Sequence, residues 1–135
     1  MLAAKYNVFR KAALDHMIGA AEWSIPATVK LRLFTVAPSA AGGGTAVAGG
    51  GYIDTIVNWD GTIVTAASGT GVAQNASVVN FGFATGAAWG TIVAVDIRRA
   101  SDDHPMWYAT LTSPVVVNDG SGFAFNIGDL VFTET

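Results

Sequence analysis

Alternating apolar and polar residues open the most regular stretch of the chain. Val29, Leu31 and Leu33 are separated by a lysine and an arginine. A period of two is typical of a strand with one buried face and one solvated face. The pattern therefore predicts a strand that begins at Thr28 and stops before Pro38, because proline fixes φ and lacks the backbone donor that a sheet requires.

A loop with two glycine triplets follows this strand and runs from Pro38 to Gly51. These 14 residues make a long connection, because about 4 to 6 residues are usual within a compact domain. Glycine also lets a backbone approach a partner closely. We predict that the loop contacts a neighbouring copy or an underlying lattice, with a flexible surface loop as the alternative. The candidate contact residues are Pro38, Gly43, Gly44, Val47, Gly49, Gly50 and Tyr52.

Helical periodicity occurs once, near the N-terminus. Apolar residues spaced by three and four lie in a run without proline or glycine, and Gly19 follows as a stop signal. The spacing predicts a helix over about residues 3–18, packed on its own sheet or on an adjacent subunit. Phe9 lies on its apolar stripe and is a further candidate interface residue. The predicted stripe consists of Leu2, Tyr6, Phe9, Ala13 and Met17.

Short strands joined by turns account for the rest of the chain. Their spacing of about 8 to 12 residues is typical of β-sandwiches and related barrels. We predict one all-β domain over residues 1–135, an antiparallel β-sandwich or jelly-roll-like barrel spanning about 28–134 with one N-terminal α-helix. The strands predicted after the loop are 52–59, 62–65, 75–83, 91–99, 106–112, 115–117, 123–126 and 130–133, with a loop at 66–74.

The composition suggests that other chains cover part of the surface. Charged residues make up only 13%, against about 25% in ordinary domains, and none occurs between Gly61 and Val95. We therefore expect a homo-oligomer, with a trimer as the expected state, while a monomer rich in alanine and glycine is the alternative.

The charges are distributed unevenly along the chain. Residues 1–32 carry five basic and two acidic side chains, and residues 33–135 carry two basic and eight acidic side chains. This split either steers docking or is merely solvated charge.

Candidate chemistry is sparse, and no catalytic, cofactor or metal residue is predicted. The chain has no cysteine, its N-terminus resembles neither a signal peptide nor a membrane span, and its few basic residues do not favour nucleic acid. His16 lacks the partners of a metal or nucleophile site. The run Asp102-Asp103-His104 has metal-binding side-chain types, but adjacent residues in a turn before proline more often cap their own backbone. The glycine triplets are not followed by the helix that a phosphate loop needs. Calcium stays open, since oxygen ligands lie in or near turns at Asp54, Asp60, Asp119 and Asp129.

The order of several motifs resembles the small virion proteins of tailed bacteriophages that are labelled tail fibre proteins. The sequence departs from the family pattern at the glycine-rich loop, where family members often carry an acidic residue near Ala46 and a basic residue after the tyrosine, while this chain has Ile53 and Asp54 there. The resemblance implies a non-enzymatic virion protein that is assembled in the cytoplasm of the bacterial host. The motifs are Leu33–Thr35, the loop Pro38–Thr45, the restart Gly49–Tyr52, Ala87–Thr91, Trp107–Thr112, Phe123, Phe125 and Gly128–Leu130.

The position on the particle is a separate question. Long projecting fibres need coiled coils, triple β-helices or collagen-like repeats, and the chain has none. We therefore rank a capsid decoration or cement protein, which would bind the major capsid protein, above a small tail fibre or baseplate component. A module that binds host glycans is the alternative from another class. Its candidate platform is the loop with Trp23, Tyr52, Trp59, Trp89, Trp107 and Tyr108.

Overall fold

The structure, a computed structural model, describes residues 2–24, 28–58 and 72–133. Strands dominate it, with one short helix near the N-terminus. The elements in chain order are β1 (Leu2–Lys5), α1 (Asn7–Met17), β2 (Thr28–Val36), β3 (Thr45–Ala46), β4 (Thr55–Asn58), β5 (Val72–Gln74), β6 (Val79–Phe83), β7 (Gly90–Arg99), β8 (His104–Val117), β9 (Gly122–Phe125) and β10 (Val131–Thr133).

Most strands belong to one mixed sheet. Its order is β3-β2-β7-β8-β1-β10-β5, with β4 also paired to β2, while β6 and β9 form a separate antiparallel pair. The β1–β10 pairing is parallel and the other pairings are antiparallel. The predicted all-β class is confirmed. Within the described ranges the sheets do not close, so the barrel alternative is not confirmed.

The core lies between the central strands of the large sheet and the β6–β9 pair. The alternation predicted in β2 is confirmed, because Val29, Leu31 and Leu33 are all buried. Leu31 pairs with Ile97 of β7, and Leu33 pairs with Val95. These side chains belong to the same apolar cluster as the aromatic residues Phe81, Trp89, Phe123 and Phe125.

The N-terminal segment differs from the prediction. Residues 2–5 form a strand, and the helix begins at Asn7 rather than near residue 3. β1 lies between β8 and β10 and pairs with both, so tertiary pairing overrides the local helix propensity there. The residues of the predicted apolar stripe also do not share one environment. Phe9 packs against the core, whereas Met17 is 81% exposed.

Strand β8 is longer than predicted. The segments predicted at 106–112 and 115–117 are parts of one strand, despite Pro105 and Pro114. The pairing between β7 and β8 shifts register between Ile92 and Ala94, opposite the part of β8 that contains Pro114. A bulge of this kind accommodates a residue that cannot donate to the ladder.

Several other boundaries also move. The strand predicted at 52–59 begins only at Thr55, and the one predicted at 75–83 begins at Val79. The predicted loop at 66–74 ends in β5. The predicted strand 62–65 and most of that loop lie outside the described residues.

Replacing Phe9 with alanine is expected to lower the free energy of unfolding by about 1.5 kcal/mol, below the roughly 3 to 5 kcal/mol of a fully buried phenylalanine. The ring is half-buried, with its centroid 5.4 Å from that of Trp23 and 6.2 Å from that of Trp107. Urea unfolding of Phe9→Ala measures the loss. Val8→Ala is the control, because Val8 is 51% exposed on the same helix. Equal losses in the two variants would contradict the packing role of Phe9.

Candidate functional site

The first half of the glycine-rich loop folds back on its own chain. Pro38 is buried. Ser39 and Gly42 exchange backbone hydrogen bonds of 3.0 and 2.9 Å, which close a tight turn. At the tip of that turn, the Ala40 carbonyl accepts a hydrogen bond of 2.8 Å from the Asn7 amide, just where α1 begins. The turn is therefore tied to the N-terminus of the helix.

Val47 holds the middle of the loop against the core. It is buried, and its amide donates to the Leu33 carbonyl at 2.9 Å. The two residues before it form β3, which pairs with the end of β2. Removing residues 43–49 would therefore delete a strand and a core side chain, so point substitutions are the cleaner test of this loop.

Trp89 fastens the end of the loop. Its indole Nε1 donates to the Gly50 carbonyl at 2.8 Å, and the Thr85 amide donates to the same oxygen at 2.8 Å. The Tyr52 ring meets Trp89 edge-on, with centroids 5.3 Å apart. The Tyr52 hydroxyl accepts from the Leu33 amide at 2.7 Å, and burial raises the pKa of this tyrosine.

The candidate contact residues therefore fall into two groups. Pro38 and Val47 are buried, and Gly50 and Tyr52 are half-buried, so these four shape the loop. Gly43, Gly44 and Gly49 are exposed and lie on its outer side. We call this outer side the loop surface. It consists of Ala41, Gly43, Gly44, Thr45, Ala48, Gly49, Gly51 and Ile53.

Gly50→Ala is expected to destabilise the protein more than Gly49→Ala. Both glycines have positive φ, of 55° and 77°, and that conformation costs an ordinary residue about 1 to 2 kcal/mol. A Cβ at Gly50 would also lie 2.4 Å from the Ala87 carbonyl oxygen, whereas a Cβ at Gly49 would meet nothing within 4 Å. Overpacking adds about 1 to 3 kcal/mol. Thermal unfolding of the two variants compares them, and equal losses would contradict the close approach at Gly50.

A network of charged side chains lies on the polar side of β2 and β7. Lys30 Nζ lies 2.8 Å from Asp103 Oδ1, and Arg32 Nε donates to Asp54 Oδ2 at 3.0 Å. Arg32 Nη2 also lies 3.3 Å from Asp103 Oδ1. Burial acts to raise the pKa of Asp103, but the hydrogen bond from Lys30 and the nearby arginines bring it below its usual value. Part of the charge split along the sequence is thus neutralised within the fold.

Asp96 is the buried member of this network and is 0% exposed. Its Oδ2 accepts hydrogen bonds from the Tyr6 hydroxyl at 2.9 Å and from Arg98 Nε at 2.8 Å. Its Oδ1 has no hydrogen-bond partner in the described part of the chain. Burial raises the pKa of Asp96 to about 6, although Arg98, Tyr6 and Arg32 act in the opposite direction. Through Tyr6, this carboxyl ties the start of the helix to the centre of the sheet.

Sequence reasoning missed the network because its members are distant in the chain. The register pairs Arg32 of β2 with Asp96 of β7, 64 positions later. The only local signal is the polar alternation at the end of the strand 91–99, which places Asp96 and Arg98 on one face.

The remaining polar candidates have structural partners. The Trp23 amide donates to His16 Nδ1 at 3.2 Å, and the His104 amide donates to Asp102 Oδ1 at 3.3 Å. Asp119 accepts from the Gly86 amide, and Asp129 accepts from the Asn126 amide. Asp60 lies outside the described residues. Across the ranges that the structure describes, no group of three or more acidic or histidine side chains has the arrangement of a metal site.

Two further features bear on the surface. Among the described residues, no helix is both long and apolar enough to cross a membrane.

The aromatic residues proposed as a glycan platform mostly pack within the fold. Trp89 is buried, and the half-buried ones are Trp23, Tyr52, Trp107 and Tyr108, while Trp59 is not described. Large apolar side chains are nevertheless exposed at many positions, including Leu14, Met17, Ile18, Ile53, Ile56, Phe83, Val116 and Ile127. Single exposed apolar residues are common on folded proteins, and only a contiguous patch of them indicates a surface that another chain covers.

Comparison with known proteins identifies the family. The family model for podophage GP4 fiber I protein gp80 matches residues 4–133. No curated protein matches the chain. The match confirms the resemblance to phage tail fibre proteins that the sequence motifs indicated. Because it covers nearly the whole sequence, the chain belongs to the podophage GP4 fiber I protein gp80 family.

Proposed function

We propose that this protein is a non-enzymatic building block of a fibre on the virion of a tailed phage. The observation that carries the proposal is the family match over residues 4–133, since the family is one of phage fibre proteins. A structural virion component is the general role that this membership gives. The described side chains fit such a role, because the charged and aromatic groups are used for packing and pairing within the fold.

The family changes the ranking of the possible positions. Capsid decoration ranked first on the sequence, because the chain lacks fibrous repeats, but the family description names a fibre and fits the tail fibre alternative. A short folded chain can still belong to a fibre when several copies surround its axis or when it joins longer components. We therefore propose contacts with copies of itself, with a trimer as the expected state, and with other virion proteins.

Particle imaging tests the position. Gold-labelled antibody fragments against this chain, applied to intact particles and viewed by cryo-electron microscopy, should mark the fibres that extend from the tail. The control is the same fragment on particles that lack the protein. Labels spread over the head would overturn the fibre assignment. They would favour a capsid decoration protein that binds the major capsid protein.

The loop surface is the proposed contact with neighbouring virion proteins. Ala41 and Ala48 are exposed on it, so arginine at either position should leave the fold unchanged and obstruct close approach of a partner backbone. We expect Ala41→Arg and Ala48→Arg to reduce the number of copies per particle at least about tenfold, equivalent to about 1.4 kcal/mol of binding. Ala21→Arg, at an exposed position after the helix, is the matched control. Unchanged incorporation of both loop variants would exclude the loop surface as a contact.

A further inference from the structure

The outer side of α1 is an unusual combination of apolar and basic residues. Leu14, Met17 and Ile18 are 57%, 81% and 67% exposed. Residues three and four apart share one side of a helix, which also places Arg10 next to Leu14. Lys11 flanks the same side and is paired with Asp15. Phe9 packs inward on Trp23 and Trp107, so the exposed stripe is not needed for packing within the chain.

A groove lies elsewhere on the surface, between β8 and β9. Leu111, Thr112 and Val115 line one side, where β8 departs from its register with β7. Phe123 and Ala124 of β9 also line the groove, together with the polar residues Ser113 and Asp129. Its volume is about 360 Å³, which is many times the roughly 30 Å³ that one water occupies in the liquid. The groove is therefore large enough to receive side chains from another chain.

The charges of the two surfaces are opposite. Arg10 and Lys11 outnumber the single acidic residue of the helix, Asp15. In contrast, no lysine or arginine occurs after Arg99, and the carboxylate of Asp129 lies at the groove. This is the part of the charge split that the network on β2 and β7 does not neutralise. It favours an approach of the basic helix to the acidic groove.

We propose that the outer side of α1 on one copy docks into the β8–β9 groove of the next copy. Leu14, Met17 and Ile18 supply the apolar contacts, as in other helix-in-groove interfaces, and Arg10 approaches Asp129. Because the two surfaces differ, the contact is head-to-tail, and it closes a ring when the rotation from one copy to the next divides a full turn evenly, which is the outcome the expected trimer requires. This inference rests on the self-assembly included in the proposed function and specifies the surfaces that produce it.

Complementation between two variants tests the contact. The helix variant is Leu14→Ser with Ile18→Ser, and the groove variant is Ala124→Arg; all three positions are exposed. In sedimentation velocity the wild-type protein should form a closed ring, expected to be a trimer. Each variant alone should be monomeric, with an association constant at least about 30-fold lower. An equimolar mixture should form a complex of two chains and no ring, because only one helix–groove contact can be made.

A matched control and a second measurement make the result decisive. Val8→Ser alters an exposed valine on another side of the same helix and should retain the ring. Since the chain lacks cysteine, copies with Met17→Cys mixed with copies with Ser113→Cys should give a disulfide-linked pair. Rings in either variant, or a mixture without two-chain complexes and cross-links, would overturn the helix–groove contact while leaving the fibre role intact. A wild-type protein that remains monomeric in solution and on particles would overturn the contact and the proposed self-assembly together.

Discussion

Replacing Asp96 with asparagine is expected to raise the free energy of unfolding at neutral pH by up to about 3 kcal/mol. The buried carboxylate accepts only two hydrogen bonds in the described structure, both on Oδ2. Burial raises its pKa from 3.8 to about 6 in spite of the attraction of Arg98 and Arg32. The pKa of Asp96 in the folded protein is thus roughly two higher than in the unfolded chain, and a pKa difference of one corresponds to about 1.4 kcal/mol. Asparagine keeps the shape of the side chain and one acceptor oxygen for Tyr6 and Arg98 without the buried charge.

The contribution of Asp96 to stability depends on pH. Between about pH 4 and pH 6 the folded protein holds a proton on Asp96 and the unfolded chain does not, so this group makes stability fall as pH rises. The stability that protonated Asp96 contributes is present below about pH 4 and is lost as pH passes 6. Urea unfolding of the wild type and Asp96→Asn at pH 5, 6 and 7 should therefore show their difference growing with pH.

Asp103→Asn is the matched control, because its interactions with Lys30 and nearby arginines lower the pKa of Asp103. That carboxylate contributes stability above its usual pKa and loses it as pH falls. The control should therefore destabilise the protein at pH 7. A loss of stability at pH 7 in Asp96→Asn, or a difference that does not vary with pH, would contradict a net unfavourable buried charge at Asp96.

Sequence patterns predict the individual strands and the helix correctly where the local preference of a segment agrees with its partners in the fold. The alternation of Val29, Leu31 and Leu33 has a period of two, and those residues do line the core. At residues 2–5 the local preference and the tertiary pairing disagree. Local propensity favours helix, but the backbone donors and acceptors there are satisfied by β8 and β10. That partnership involves strands more than 100 positions away and leaves no local pattern in the sequence.

The candidate site was only partly predictable for the same reason. Length and glycine content singled out residues 38–51, but not the burial of Pro38 and Val47. The contacts that shape the loop come from Asn7, Leu33 and Trp89. Alternation put Lys30 and Arg32 on the polar face of β2. Their partners depend on strand register and on the turn after β7, which one sequence does not display.

Replacing Trp89 with alanine is expected to lower the free energy of unfolding by about 3 to 5 kcal/mol, the usual loss for a buried aromatic residue. The ring is 4% exposed in the core, and its contact with Tyr52 and its hydrogen bond to Gly50 join the core to the end of the loop. Urea unfolding measures the global loss. Hydrogen exchange at the Val47 and Tyr52 amides, which donate to Leu33 and Gly49, reports on the loop.

Trp89→Phe separates the role of the hydrogen bond from that of packing. Phenylalanine keeps an aromatic ring but lacks the indole donor, so the Gly50 carbonyl would retain only the Thr85 amide. The expected loss of unfolding free energy is about 0.5 to 1.5 kcal/mol for the hydrogen bond. The smaller ring adds a packing loss that is smaller than this. Exchange at the Tyr52 amide should accelerate more than exchange within β7. If Trp89→Phe slows or leaves unchanged the exchange at Tyr52, the indole does not fasten the loop, and the loop's other contacts hold its end without that hydrogen bond.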